Sequence, residues 1–214
     1  MTRTRLALAA ALALSAGAAV AAHAAPAPRT GCTVVTDAIG DTAADVGAPA
    51  TVPQADNALD ITAVDLASND KWIGARVRLA KLDAVPPASG GDSYTLSLDV
   101  AGGKLILGVG RYADPTGITG DGKFAYAGFQ RGTLAPRDVP ERAVQLAIDP
   151  VTRSASVFVD RAALAAIGAN ITGSVTGVTA TSGRQYGNEL TVDYDSATAS
   201  PFYKLGTASC LKLP

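Results

Sequence analysis

Residues 93–100 read SYTLSLDV, a regular alternation of polar and apolar side chains. An alternation with a period of two is typical of a β-strand that packs one face on a core and exposes the other to water. Segments 72–79, WIGARVRL, and 143–148, AVQLAI, also carry an apolar residue at every second position. The three segments therefore predict three strands that each bury one face.

Other segments have the length and composition of strands, and they are 61–67, 104–109, 123–129, 154–159, 171–180 and 189–194. Gly102-Gly103 and Asp149-Pro150-Val151-Thr152 separate pairs of these segments as tight hairpin turns would. A short helical turn is predicted over 161–167, with Asp160 as its cap and Gly168 at its end. Many short strands with little helix predict an all-β fold, an antiparallel two-sheet β-sandwich, and a closed barrel is the alternative.

The N-terminus has the three parts of a secretory signal peptide over residues 1–25. Two arginines supply the positive charge, an apolar run from Leu6 to Val20 follows, and Ala22-His23-Ala24 is a cleavage site of small residues. The apolar run is short for a membrane span, so we expect cleavage, with an uncleaved N-terminal anchor as the alternative. The mature chain, 26–214, is then expected to be a single secreted domain without a membrane span.

The composition of the mature chain excludes several classes of chemistry. His23 and Met1 are the only histidine and methionine of the sequence, and both precede the predicted cleavage point. Ser-His-Asp and Cys-His catalysis, His-ligated zinc and the axial ligands of haem are therefore excluded. With 18 Lys and Arg against 19 Asp and Glu and no basic run, nucleic acid is not expected as a partner. No activated acid, base or nucleophile is recognisable, so we expect no enzyme.

Cys32 and Cys210 are the two cysteines of the chain and lie near opposite ends of the mature part. In an oxidising compartment, two cysteines without a CxxC spacing or an activating histidine are expected to form a disulfide. A Cys32–Cys210 bond would fasten the first strand region to the last. The alternative is a pair of free thiols.

Four segments of the chain together suggest a family. They are Asp37–Asp41, Leu59–Val64, Val144–Gly168 and Asp193–Thr198. In this order they resemble the DOMON-like and family 9 carbohydrate-binding-module-like β-sandwiches of exported bacterial proteins. The resemblance implies an immunoglobulin-like sandwich, often with calcium near the N-terminal loop, and a ligand on one sheet or its rim.

Four aspartates are the candidate metal ligands: Asp37, Asp41, Asp60 and Asp195. Short carboxylates in glycine-containing loops offer the several oxygen ligands at flexible geometry that calcium takes, although the spacing does not match an EF-hand loop. Asp195 can join the others if the two chain ends meet, as the predicted disulfide requires. Calcium is the one cofactor that the sequence suggests, and ordinary aspartate turns and caps are the alternative.

Trp72, Arg76 and Arg78 form the first candidate ligand surface. Alternation along segment 72–79 puts these three residues opposite its apolar side, on the outer face of the predicted sheet. A flat aromatic ring beside two guanidinium groups could stack on a sugar ring and bind its hydroxyls or an acidic group. The alternative is that Trp72 covers a sheet edge and the two arginines form a solvated face.

Aromatic residues around the long loop 112–122 form the second candidate surface. Phe124 and Tyr126 fall on one strand face and Phe129 on the other. Tyr112 and Tyr126 are the stronger candidates for ligand contact, because a tyrosine hydroxyl favours a position at the water boundary. The alternative is that the cluster belongs to the core or anchors the loop.

These surfaces lead to an expected function. The chain is predicted to be a secreted, non-catalytic binding module, with glycan or cell-envelope material as its ligand. The alternatives are an extracellular protein-interaction or structural domain without a small-molecule ligand and, less favoured, a carboxylate-based hydrolase.

Overall fold

The computed structural model describes residues 32–45, 48–86, 90–113, 122–186, 190–201, 203–206 and 211–214 of the 214-residue chain. The predicted signal peptide, Cys210 and most of the loop 112–122 lie outside these ranges. Within the described part of the chain, no helix has the length and apolar character needed to cross a membrane.

The described elements are strands except for one short 3-10 turn at Glu141–Ala143 and one short α-helix. In chain order they are β1 (Thr33–Thr36), β2 (Ile61–Ser68), β3 (Trp72–Leu79), β4 (Gly90–Val100), β5 (Gly103–Tyr112), β6 (Gly122–Gln130), β7 (Arg137–Asp138), β8 (Val144–Asp149), β9 (Ser154–Asp160), α1 (Arg161–Ala166), β10 (Ser174–Val175), β11 (Gly177–Tyr186), β12 (Leu190–Ala199) and β13 (Tyr203–Lys204).

The described strands form two large sheets in which every neighbouring pair is antiparallel. Sheet I has the order β1-β2-β3-β9-β8, and sheet II has the order β12-β11-β4-β5-β6-β7. Strands β10 and β13 pair separately in a short two-stranded ladder. Two separate sheets confirm the predicted antiparallel β-sandwich and show that the barrel alternative is wrong.

One hydrophobic core lies between the sheets, and the predicted alternation supplies it. Leu96 and Leu98 of β4 are 0% exposed, as are Ala75 and Val77 of β3. The polar residues between them face outward or the sheet rim, since side chains along a strand point alternately to opposite faces. The periodicity of the sequence therefore identifies the inner face of both sheets correctly.

The predicted turns and the predicted helix cap are also confirmed. The Gly102-Gly103 turn joins β4 to β5, and the Asp149–Thr152 turn joins β8 to β9. The side chain of Asp160 accepts hydrogen bonds from the amides of Ala162, at 2.7 Å, and Ala163, at 3.2 Å. These bonds satisfy two of the amides that a helix leaves free at its start.

Some strands differ from the prediction. Segment 171–180 is not one strand: it contains β10 and the first part of β11, with Thr176 between them. Strands β1, β7 and β13 have only two to four residues, too few to show a periodic pattern. Their pairing depends on neighbours that are distant in sequence.

Cys32 is buried immediately before β1 and is not a free thiol. Cys210, the other cysteine of the sequence, lies outside the described residues. The Cys32–Cys210 pairing therefore stays a prediction.

Candidate functional site

The outer face of sheet I carries the first predicted ligand surface, and the prediction that Trp72 is exposed is wrong. Trp72 is only 4% exposed. It packs in a second apolar cluster with Ala67, Phe158 and Leu211, and Leu213 lies against this cluster. The chain end around Leu211 and Leu213 thus covers the ring, a contact that local periodicity cannot show.

Arg76 and Arg78 are engaged in ion pairs across the same face of sheet I. The Nη2 atom of Arg76 lies 2.6 Å from Oδ2 of Asp65, and Nη2 of Arg78 lies 3.1 Å from its Oδ1. The Asp65 side chain is 1% exposed and also accepts the hydroxyl hydrogen of Thr33 at 2.7 Å. These bonds connect β1, β2 and β3, so without an exposed indole the trio does not form the predicted stacking surface.

The outer face of sheet II carries the second predicted surface, and here the aromatic rings are exposed. Tyr112 is 41% exposed, Tyr126 43% and Phe124 36%. Phe129 points the other way and is 5% exposed in the core. The predicted distribution of Phe124, Tyr126 and Phe129 between the two faces is therefore confirmed, as is the exposure of the two tyrosines.

Glycines of the neighbouring strand lie beneath these rings. Gly108 is opposite Tyr126 and Gly110 is opposite Phe124 in the register of β5 and β6. A Cβ atom on Gly108 would come within 2.1 Å of the Tyr126 ring, and one on Gly110 within 2.4 Å of the Phe124 ring. Each ring therefore occupies the space above a glycine that any other residue would fill.

For Tyr112 the roles of the two strands are exchanged: β5 supplies the ring and β6 supplies the glycine. The Tyr112 ring lies over Gly122 of β6, where an added Cβ would be 2.1 Å away. The hydroxyl of Tyr126 is 3.0 Å from the Thr95 hydroxyl on β4. Because Tyr112 covers Gly122, the three rings lie beside positions 122, 124 and 126 of β6. Residues two positions apart along a strand are about 6.7 Å apart, so the three rings extend over roughly 13 Å.

An open groove of about 530 Å³ lies along these rings. Besides the rings, its lining consists of small or uncharged polar residues of β4, β11 and β12, which are Gly91, Ser93, Thr95, Gln185 and Thr191. The sequence prediction placed Phe124 in the aromatic cluster but favoured only Tyr112 and Tyr126 for ligand contact, and it did not include the polar residues. The sequence signal that could have identified the role of Phe124 is the pair Gly108 and Gly110 in one strand segment, followed in the next segment by Phe124 and Tyr126 at the same spacing.

A buried ion network supports the groove from inside the sandwich. Asp92 of β4 is 0% exposed. Its Oδ2 is 3.0 Å from Nη2 of Arg111, on β5, and its Oδ1 is 2.8 Å from Nε of Arg184, on β11. Arg184 also pairs with Asp56. Because these strands carry the groove on their other face, the network holds the groove's floor in one register.

A cluster of carboxylates brings together three of the four predicted metal ligands. One carboxylate oxygen from each of Asp37, Asp41 and Asp195 lies within 4.8 Å of the other two. Asp195 comes from β12, near the end of the chain, and the other two come from the loop after β1. The predicted meeting of the two chain ends is therefore correct at this point.

Asp60, the fourth predicted ligand, is 0% exposed and does not belong to the group of three whose oxygens lie within 4.8 Å of one another. Its Oδ2 accepts a hydrogen bond of 2.6 Å from the amide of Gly40, in the same loop as Asp37 and Asp41. Its Oδ1 is buried and has no hydrogen-bond partner among the described residues. Burial raises the pKa of Asp60 above its ordinary value, and the charges of Asp41 and Asp37 act in the same direction.

Asp195 is in a similar electrostatic environment. Its Oδ2 accepts a hydrogen bond of 2.6 Å from the amide of Ile61, the first residue of β2. Burial raises the pKa of Asp195, with smaller contributions in the same direction from Asp37 and Asp41. Crowded carboxylates and a buried oxygen without a donor are the conditions in which a hard cation is favourable. The cluster therefore fits the calcium ion that the resemblance implies.

No protein-family model matches the chain, and the comparison with curated proteins finds no match. The resemblance to DOMON-like and family 9 carbohydrate-binding-module-like sandwiches stays a prediction.

Proposed function

We propose that the protein is a secreted, non-catalytic binding module that holds a glycan in the aromatic groove of sheet II. The observation that supports this most directly is the row formed by Tyr112, Phe124 and Tyr126. These rings are exposed and each is seated over a glycine.

The chemistry of the groove matches that of a sugar chain. A sugar ring has an apolar C–H face that packs on an aromatic ring and a rim of hydroxyls that needs hydrogen-bond partners. The three rings supply the first kind of contact. Ser93, Thr95, Gln185 and Thr191 supply hydroxyl and amide groups for the second.

The shape and charge of the groove favour an extended, neutral glycan. Its rings follow the strand direction over roughly 13 Å, which is long enough for several sugar units in a row. The groove residues that the structure describes are uncharged and include no carboxylate. Such a lining offers neither a cation for an acidic polymer nor a carboxylate pair for glycoside hydrolysis.

Binding to a panel of polysaccharides tests the proposal. Cellulose, chitin, xylan and β-1,3-glucan are the neutral candidates, and pectin and alginate are the acidic comparison. We expect one of the neutral polymers to retain the protein. Retention by none of them would contradict the proposal, as would equal binding to the acidic polymers.

Variants then assign the binding to the groove. Tyr112→Ala and Tyr126→Ala should each weaken binding at least tenfold, because each removes an aromatic surface from the centre of the contact. Tyr126→Phe keeps the ring and should change affinity less than about threefold. Leu134→Ala removes an apolar residue that is 66% exposed but does not line the groove, so it is the matched control and should bind normally.

A further inference from the structure

We propose that a pocket between the β6–β7 turn and the residues that follow α1 binds a small carboxylic acid with an apolar body. This arginine pocket has a volume of about 390 Å³, and its lining includes Phe129, Arg131, Leu134, Arg137 and Ile167. None of its lining residues belongs to the glycan groove. The proposal is therefore independent of the glycan proposal, and either one can fail without the other.

The base of the arginine pocket is apolar and belongs to the folded core. Phe129 is 5% exposed and is part of the core cluster, and Ile167 packs against that cluster. Because core side chains are closely packed, these two residues give the pocket a fixed apolar surface. Small-molecule sites in proteins have volumes of roughly 300–1,000 Å³. The arginine pocket is therefore large enough for one small ligand.

Leu134 adds an apolar surface that the protein itself leaves in water. Its side chain is 66% exposed although it lines the pocket. A tight turn fixes its position: the amide of Leu134 donates to the carbonyl of Arg131 at 3.2 Å, and Gly132 adopts a φ of 59°, which glycine takes without strain. A ligand that covers this leucine removes apolar surface from water, which favours binding.

Arg131 and Arg137 supply the polar side of the pocket. The Nη2 atom of Arg131 donates to the carbonyl of Gly168 at 2.9 Å. The Nη1 atom of Arg137 donates to the carbonyl of Ile167 at 3.1 Å. Both carbonyls directly follow α1. These bonds hold the two guanidinium groups at the pocket before a ligand arrives, which lowers the entropic cost of binding.

The charges of these two arginines are not compensated within the described part of the chain. Arg76, Arg111 and Arg184 pair with aspartates, but neither arginine of the pocket has a carboxylate partner among the described residues. The described lining of the pocket contains no acidic residue. A guanidinium group has five N–H donors, and each of the two uses one on a carbonyl. The remaining donors and the charge match a carboxylate.

The two sides of the pocket together favour an acid with an apolar body over other ligands. A neutral sugar would leave both positive charges without a partner and place hydroxyl groups against Phe129 and Leu134. Inorganic phosphate would match the charges but leave the apolar surface in water. A carboxylic acid with a compact hydrocarbon part satisfies both sides at once.

NMR titrations of the protein with octanoate, 1-octanol and acetate separate the two contributions. 1-Octanol has an apolar chain of the same carbon number without the charge, and acetate has the charge without the chain. We expect octanoate to bind with a dissociation constant of about 1 mM or lower, and each of the other two to bind roughly tenfold more weakly or less. No binding of octanoate, or equal binding of octanoate and 1-octanol, would overturn the proposal.

Substitution of the arginines tests the charges. Arg131→Gln and Arg137→Gln should each weaken octanoate binding about tenfold, because each removes a charged donor. Arg131→Lys keeps the positive charge and should lose less affinity than Arg131→Gln. Arg142→Gln is the matched control, since Arg142 is exposed and does not line the pocket, and it should bind octanoate normally. Wild-type affinity in both glutamine variants of the pocket would overturn the proposal.

A pair of variants distinguishes the arginine pocket from the glycan groove. Leu134→Ala should weaken octanoate binding about fivefold or more, because it removes apolar contact surface, and should leave polysaccharide binding unchanged. Tyr126→Ala should leave octanoate binding unchanged. If Tyr126→Ala abolishes octanoate binding and Leu134→Ala does not affect it, octanoate binds in the groove and the proposal is wrong.

Methyl signals locate the bound acid directly. Octanoate should shift the methyl signals of Leu134 and Ile167, which line the arginine pocket. It should leave the methyl signal of Thr95, a residue of the glycan groove, in place. A shift at Thr95 without any change at Leu134 and Ile167 would contradict the assignment of the pocket.

Discussion

The outer faces of both sheets carry an aromatic ring packed over a glycine, but the ring is covered on sheet I and open on sheet II. On sheet I, an added Cβ on Gly74 would meet the ring of Phe158 at 2.7 Å and a methyl group of Leu213 at 2.9 Å. On sheet II, the ring of Tyr126 lies over Gly108 in a similar way, but no described chain segment covers it. A structural face therefore differs from a candidate binding face in whether other residues cover its aromatic rings. The strand pattern beneath the rings does not distinguish the two faces.

The polar residues on the two faces differ correspondingly. On sheet I, Arg76 and Arg78 are ion-paired with the buried Asp65. On sheet II, Ser93, Thr95 and Gln185 line an open groove beside the rings. The first set stabilises the pairing of strands, whereas the second set offers hydrogen-bonding groups to a ligand.

The largest expected difference between the faces is in stability. Trp72→Ala should lower the free energy of unfolding by about 3–5 kcal/mol, because it empties a buried aromatic site. Tyr126→Ala should lower it by about 1 kcal/mol or less, the usual worth of an exposed cross-strand pair. Urea denaturation of both variants measures this difference, and equal losses would contradict the contrast between a covered and an open face.

Uncovering sheet I is the second test. The double variant Leu211→Ser and Leu213→Ser should lower the free energy of unfolding by about 1.5–3 kcal/mol, since buried leucine surface is lost. Trp72 is the only tryptophan, so its fluorescence reports this face alone. Its emission maximum should move to longer wavelength in the variant, and an unchanged maximum would show that the chain end does not cover the ring.

A smaller effect is expected when the glycine beneath a ring on sheet II is replaced. Gly108→Ala should lower the free energy of unfolding by about 1–2 kcal/mol, because the new methyl group displaces the Tyr126 ring. It should also weaken glycan binding by lifting that ring. Gly128→Ala is the control in the adjacent strand, since its Cβ would be 3.2 Å from the nearest atom. Equal binding by both variants would contradict a role for the seated ring.

Much of the fold could be predicted from local patterns. The alternation in 93–100 and in 72–79 identifies strands and their inner faces, and Asp160 identifies the start of α1. These features depend on neighbouring residues only. The covering of Trp72 by Leu211 and Leu213 could not be predicted, because it depends on where the last residues of the chain return.

The candidate sites were predictable to different degrees. Tyr112 and Tyr126 could be placed at the water boundary from the chemistry of their hydroxyl groups. Phe124 has no such group, and its exposure became apparent only from the register that seats it over Gly110. The meeting of Asp37 and Asp195 followed from the expectation that the chain ends are joined. The unpartnered oxygen of Asp60 required coordinates.

The most direct test of the contrast between the faces is an NMR titration with a soluble oligosaccharide of the neutral polymer that retains the protein. We predict shifts in the amide signals of Ser93, Thr95 and Gly108, which lie in or beneath the groove. The indole signal of Trp72 should stay in place, since its ring is covered. A shift of that indole signal without any change around Gly108 would contradict the assignment of sheet II as the binding face.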